Sequence, residues 1–358
     1  NPQLALNDIF PAIRSGEMRY GGQTMALPLG SPPLLMYWRP ALAGEEPSRA
    51  SPPRSWEAYR QWISAGSAEA KPTTPPLAGR AAAYTLIARA LAYVESPRRA
   101  EAMFNPENMT PRITDPPWVR ALAEIIEETP ESARTEPAGF TAAIAAVRAG
   151  RSLATLGWPG LSGVAEGATN DAAEGAAFAP LPTATDVFSE TRQAWENQLR
   201  PQSVTLLGVQ GRLIAVTQST RNAVSAFALG QWLASGDVAI QLSSRSDATL
   251  WYRESQAPSY GRWLEEQPTR SDGTPVTQVV AEAMDTETPV IIPRVPGVDE
   301  YLNVLAEAVR SAKPGEAAAA ESLTAAATTW EEITERLGRE AQTEAYQRHL
   351  GIKLFSME

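Results

Sequence analysis

Between residues 20 and 63 the chain reads YGGQTMALPLGSPPLLMYWRP, a polar spacer, then PPRSWEAYRQWI, and this order restricts the folds open to it. Gly21-Gly22 makes a turn into a short apolar strand over 24–29. Gly30-Ser31-Pro32-Pro33 then interrupts the chain, because a proline brings no N–H to a ladder or a helix. A second apolar run, 34–38, ends at Arg39-Pro40. After the spacer, Ser55 is placed to cap a helix on which Trp56, Tyr59 and Trp62 recur at helical spacing.

Downstream the pattern turns mostly helical. Segments 79–95, 118–128 and 140–150 read as helices, the first with Leu86, Ile87, Ala90, Leu91 and Val94 on one face and the last closed by Gly150. A short strand over 152–156 leads to the turn Gly157-Trp158-Pro159-Gly160, and the Gly/Ala-rich stretch 161–180 reads as loop. Strands over 204–207 and 212–216 flank Gly208 and Gly211. Further helices are expected over 223–234, 237–244, 275–284, 299–311 and 316–337. Segment 43–55 reads as a solvated linker and 65–79 as disordered. There is no internal repeat. Strands are few and short, so the pattern alone gives a helix-rich α/β fold.

Composition narrows the function. A length of 358 residues suffices for two lobes with a sizeable core, and no apolar run approaches the ~18 residues of a membrane span. A net charge of −10 argues against nucleic acid or an anionic membrane as partner. With no Cys, disulfides and zinc-thiolate sites are excluded. His349 is the single histidine, which excludes His-rich metal sites and argues against a His-dependent triad. No cofactor or metal is expected. The chain opens Asn1-Pro2 without Met, so its start reads as processed or trimmed.

Taken in order, these segments resemble the extracellular solute-binding proteins of ABC importers, in the carbohydrate-type cluster that includes maltose-binding protein. YGGQTMALP stands where that family has its hinge-crossing strand, and LLMYWRP and PPRSWEAY match the strand and helix that follow. FTAAIAAVRAGRSLATLGWPG, FAPLPT and VTLLGVQGRLIAVTQSTRNAVSAFALGQWLAS resemble the family's later blocks, and the region from Asp299 to Ile333 its closing helices. Each match alone is weak; their common order gives them weight. The resemblance implies a two-lobed periplasmic-binding-protein-like fold with a hinge. Its first lobe would comprise 1–36, the second 37–200, a return to the first 201–285, and 286–358 closing helices across the second lobe and hinge.

It also implies a monomeric receptor that captures a small solute, a sugar or oligosaccharide, by hinge closure and delivers it to an importer's membrane subunits. Such a receptor is periplasmic or extracellular, free or lipid-anchored, and is not an enzyme. The family's opening βα units are missing ahead of Asn1, which would leave strand edges and apolar helix faces uncovered and calls for a companion segment. Two other readings stay open. One is a receptor-like sensor or scaffold without transport, suggested by prolines in the Gly30–Pro33 turn where relatives place a polar ligand contact. The other is a glycan-active enzyme using loop carboxylates among Asp115, Asp186, Asp247 and Asp272, although no motif pairs them.

Sugar receptors stack aromatic faces on pyranose rings and aim planar polar groups at hydroxyls. Trp158 is the leading candidate: it follows a strand and falls where the family presents an aromatic to the cleft. Tyr37, Trp38 and Arg39 lie at the lobe crossing, and at least one aromatic must face the core because neighbours on a strand point opposite ways. Gly208 and Gly211 would let backbone approach a ligand, with Gln210 between them able to donate and accept. Trp251 and Arg253 form an aromatic-basic cluster in which Arg253 either grips an acidic solute or makes a surface ion pair. Tyr301 corresponds to an aromatic contact in the family, or packs on its helix. Trp56, Tyr59 and Trp62 read as core, and Glu127-Glu128 and Glu331-Glu332 as solvated faces, since adjacent helical residues diverge by roughly 100°.

Overall fold

The computed structural model describes residues 4–42, 51–64, 73–160, 176–264 and 274–352. The chain begins in one lobe with a π-helical turn, Ile13–Glu17, and a two-stranded hairpin of β1 (Arg19–Tyr20) and β2 (Gln23–Thr24). Strand β3 (Leu27–Gly30) follows, and the chain crosses into the second lobe as β4 (Leu35–Trp38). Ser55 caps α1 (Trp56–Ser64) as its sequence position suggested, its Oγ accepting from the Ala58 N–H at 3.1 Å.

Helices α2 (Ala81–Tyr93), α3 (Pro116–Glu128), α4 (Glu131–Thr135) and α5 (Phe140–Arg148) build the second lobe. They pack beside an antiparallel sheet in which β4 lies between β5 (Ala154–Gly157) and β6 (Ala177–Ala179). A hairpin not foreseen from sequence, β7 (Asp186–Ser189) and β8 (Ala194–Asn197), lies against α2 and α3. Most of the 161–180 loop and of the 43–55 and 65–79 segments falls outside the described residues.

The chain returns through β9 (Leu206–Leu207) to β10 (Arg212–Ile214), which pairs antiparallel with β3. Helices α6 (Ala223–Leu233), α7 (Gly236–Ser243) and α8 (Val276–Met284) complete this lobe, and β11 (Val290–Ile291) runs parallel to β9 at the junction. Helices α9 (Val298–Ser311), α10 (Glu316–Leu337) and α11 (Arg339–His349) close the chain, with α9 on α2 and α10 on α3. Phe104 sits at the centre of this closing bundle, 4.7 Å from the Trp330 ring and within 5.6 Å of Tyr301 and Tyr346.

Two helices depart in opposite senses from the one-faced burial of an amphipathic helix, which the sequence predicted for the first of them. Every residue of α2 is buried, including Arg89. Its guanidinium donates from Nε to Glu124 at 3.0 Å and from one terminal nitrogen to Glu128 at 2.5 Å, while Tyr93 donates to Glu124 at 2.5 Å. Burial pushes the Glu124 carboxyl up, but Arg89, Tyr93 and Arg120 outweigh it and hold the carboxyl below its usual range. Helix α6, apolar on every side, instead exposes Val224, Phe227, Leu229 and Trp232, and β10 and β3 pair only with each other among the described residues.

The Arg89 cluster is where the second lobe is most sensitive to a single change. Replacing Arg89 by Met removes the buried cation from Glu124 and Glu128 and leaves them only the more exposed Arg60 and Arg120, and urea melts should show a loss of about 3–5 kcal/mol. A loss below about 1 kcal/mol would mean that water screens the cluster, as it does a surface ion pair.

Candidate functional site

The turn after β5 carries Trp158 across to the first lobe. Its indole N–H donates to the Asp247 carbonyl at 2.7 Å, and its ring lies 5.0 Å from Phe140 of α5. Gly160, at φ 84°, brings that turn against the first lobe, where a Cβ would lie 3.6 Å from the Thr249 carbonyl oxygen and 3.7 Å from Trp263 Cβ. Trp263 in turn meets Trp251 edge-on at 5.8 Å. The turn that carries Trp158 and the segment that carries the Trp251–Trp263 pair thus lie against each other at the junction of the lobes. The indole nitrogens of Trp251 and Trp263 are buried without a hydrogen-bond partner, whereas that of Trp158 is engaged. Trp263 was not singled out from sequence, since nothing in SYGRWL distinguishes it from a packing aromatic.

The Gly30–Pro33 turn is no ligand loop, because Ser31, Pro32 and Pro33 are all buried. Gly30, at φ 136°, lies so close to residues 249 and 250 that a Cβ would stand 2.7 Å from Thr249 Cβ. Gly211 is pressed in the same way on the Ser31 hydroxyl, at 2.6 Å from a virtual Cβ. Gly208 has positive φ and is exposed, and its N–H donates to Glu17 at 3.1 Å. Gln210 is half-buried beside it.

The remaining sequence candidates have structural partners. Tyr37 and Trp38 are both buried, since β4 is a central strand covered on its two faces; Tyr37 lies 4.6 Å from Phe178 and Trp38 6.0 Å from Trp62. Arg39 donates to the Arg148 carbonyl at 2.5 Å, placing its cation at the C-terminal end of α5. Arg253 is neither a surface ion pair nor open to a solute. It is buried, and donates to the carbonyls of Ala234 at the end of α6 (3.1 Å) and Ala5 (3.0 Å), with Asp8 at 3.6 Å. Tyr301 hydrogen-bonds Thr334 at 2.9 Å inside the closing bundle.

The carboxylates weighed for acid–base chemistry do not form a pair. Asp115 precedes α3, and burial raises its carboxyl above the usual range; Asp186 lies on β7 beside Arg120; Asp247 is held through its backbone. Asp272 lies outside the described residues. No group of three His, Cys, Asp or Glu side chains among the described residues is placed to hold a metal.

No protein-family model matches the chain, and no curated protein matches it by sequence. Solved structures do match it in fold. A solute-binding protein of an ABC transporter from Agrobacterium radiobacter K84, in complex with ribitol, superposes with a TM-score of 0.64 at 17% identity, over 93% of this chain and 77% of that one. The cyclic alpha-maltosyl-1,6-maltose binding protein of Arthrobacter globiformis gives 0.61 at 16% identity, over 92% and 77% of the two chains. A solute-binding protein from Agrobacterium vitis S4 with bound D-mannitol gives 0.58 at 15% identity, over 94% and 79%. The chain therefore has the two-lobed, helix-rich α/β fold of these binding proteins.

The bridge through Trp158 can be separated from its packing by two substitutions. Trp158→Phe keeps an aromatic ring and deletes the N–H to Asp247, a change worth about 1 kcal/mol. Trp158→Ala also removes the ring and should cost about 3–5 kcal/mol in denaturant melts. Equal losses for the two variants would show that the ring is not packed at the junction.

Proposed function

We propose that this protein is a receptor for a carbohydrate or polyol, bound between its lobes and enclosed by hinge closure. The observation carrying this reading is the close approach of the Trp158 turn and the Trp251–Trp263 pair at the lobe junction of a two-lobed binding fold. A tryptophan face stacks on the apolar side of a sugar ring, and the two unpartnered indole N–H groups are suited to its hydroxyls. Closure would dry the site and strengthen those hydrogen bonds. The chemistry agrees with the ribitol, D-mannitol and cyclic maltosyl-maltose named for the structural neighbours.

In this reading Trp158, Trp251 and Trp263 contact the ligand, with Gln210 at the edge of the site. The packing of Tyr37, Trp38, Arg39, Arg253 and Tyr301 gives them the supporting role of holding the lobes and the closing bundle in shape. The receptor works outside the cytoplasm as a monomer, hands its solute to the membrane subunits of an ABC importer, and performs no catalysis.

A thermal-shift series with ribitol, D-mannitol, maltose and maltotetraose tests the proposal. A ligand at a hundredfold excess over its Kd should raise the melting temperature by roughly 5 °C, saturably. The shift should be lost in Trp158→Ala. A flat response to sugars and polyols from folded protein would overturn the receptor reading.

A further inference from the structure

In the hinge reading given above, three segments run side by side where the lobes meet, around Ser31, Gly208 and Arg294, and Glu17 lies among them. Glu17 closes the π-helical turn Ile13–Glu17, an irregularity that recurs at functional positions. Ser31, on the first crossing, brings its buried hydroxyl near the carboxyl without a formed hydrogen bond. Gly208, on the second, donates its N–H to Glu17 Oε1 at 3.1 Å. Arg294, on the third, donates to the Glu17 backbone carbonyl at 3.0 Å and exerts its charge on the carboxyl. The other carboxyl oxygen, Oε2, is buried without a partner.

We propose that Glu17 is the positioning residue of the hinge: neutral, it holds the lobes as they stand here, and ionised, it drives them toward an orientation in which its carboxylate reaches water. This rests on the hinge reading given above. Burial pushes the Glu17 carboxyl up to about 7, although the Gly208 N–H and the Arg294 cation each favour the anion. The present orientation is therefore fully favoured below the ordinary carboxylate value of 4.5 and loses that advantage as pH rises through about 7. His349, which accepts from Arg294 at 3.3 Å, does not compete for this role. Burial and the neighbouring Arg294 lower it to about 3, so it stays neutral across the window. Tyr20 lies under the Arg294 guanidinium, Arg14 is paired with Glu287, and Arg19 donates to the Gly22 carbonyl.

Because the chain has no cysteine, two introduced ones can be labelled cleanly. Exposed Arg192 in the second lobe and Asp237 in the first suit single-molecule FRET. Between pH 6 and pH 8 the ratio of the two lobe orientations should change roughly tenfold in the otherwise wild-type protein. In Glu17→Gln it should not change with pH and should stay at the value that the wild type reaches below pH 4.5. Identical pH responses in both proteins, or none in either, would overturn the proposal. If Glu17→Gln does not fold, Arg294→Gln serves instead: losing a cation that favours the anion should move the transition to higher pH, and an unmoved transition overturns the assignment. The same labelled protein separates this proposal from the receptor reading. A distance that changes with pH while no sugar or polyol binds leaves Glu17 in place and removes the receptor; one that changes with ribitol but not with pH does the reverse.

Discussion

The mutual hydrogen bonding of the three lobe crossings is the constraint on which the rest of this structure depends. Leu34 N–H donates to the Leu206 carbonyl at 3.3 Å, Val290 N–H to Thr205 at 2.9 Å and Ile292 N–H to Leu207 at 3.1 Å. Backbone groups crossing a buried junction need partners, and these crossings supply them to one another. The middle segment bonds to each of the other two, so the junction fixes which segments lie side by side. Beyond it, Trp158 to Asp247 and Glu17 to Gly208 add single hydrogen bonds that bear on lobe orientation.

Buried charge is used differently in the two lobes. In the second, Arg89, Glu124, Glu128 and Tyr93 satisfy one another between α2 and α3. Such a network fixes helix register at a large desolvation cost, and it tolerates no missing member. At the hinge, Glu17 has one satisfied oxygen and one orphan, an arrangement with two competing protonation states. The first cluster is rigid for the reason that the second is responsive: the number of partners for each oxygen decides whether a buried carboxylate is locked or poised.

Much of the helical architecture was legible because it rests on local chemistry. Ser55 caps α1, and the chain turns through positive φ at Gly150 after α5; both follow from residues within one turn of their effect. The 186–197 hairpin was not legible, since Phe188 and Trp195 gain their strand character from packing on α2 and α3 and against Tyr93. Arg253 was misread for a related reason. A sequence shows a cation but not the carbonyls of Ala5 and Ala234 that converge on it from far along the chain. The Gly30–Pro33 turn resembled a surface loop by composition, yet its glycine serves the close approach of Thr249 and Leu250.

The sequence by itself determined the fold class, most of the helices, and the absence of thiol and histidine-rich chemistry, because these depend on periodicity, turn residues and composition. Only the tertiary structure decided which aromatics form the junction. Trp251 and Trp263 pair beside the turn that carries Trp158, while Tyr37 and Trp38 pack on Phe178 and Trp62 and Tyr301 in the closing bundle, although all six are aromatic and suited to stacking. It alone showed Glu17 facing three crossings. A side chain's type is written in the chain, but its neighbours are set by where distant segments pack, and those neighbours decide whether it stacks, binds or titrates.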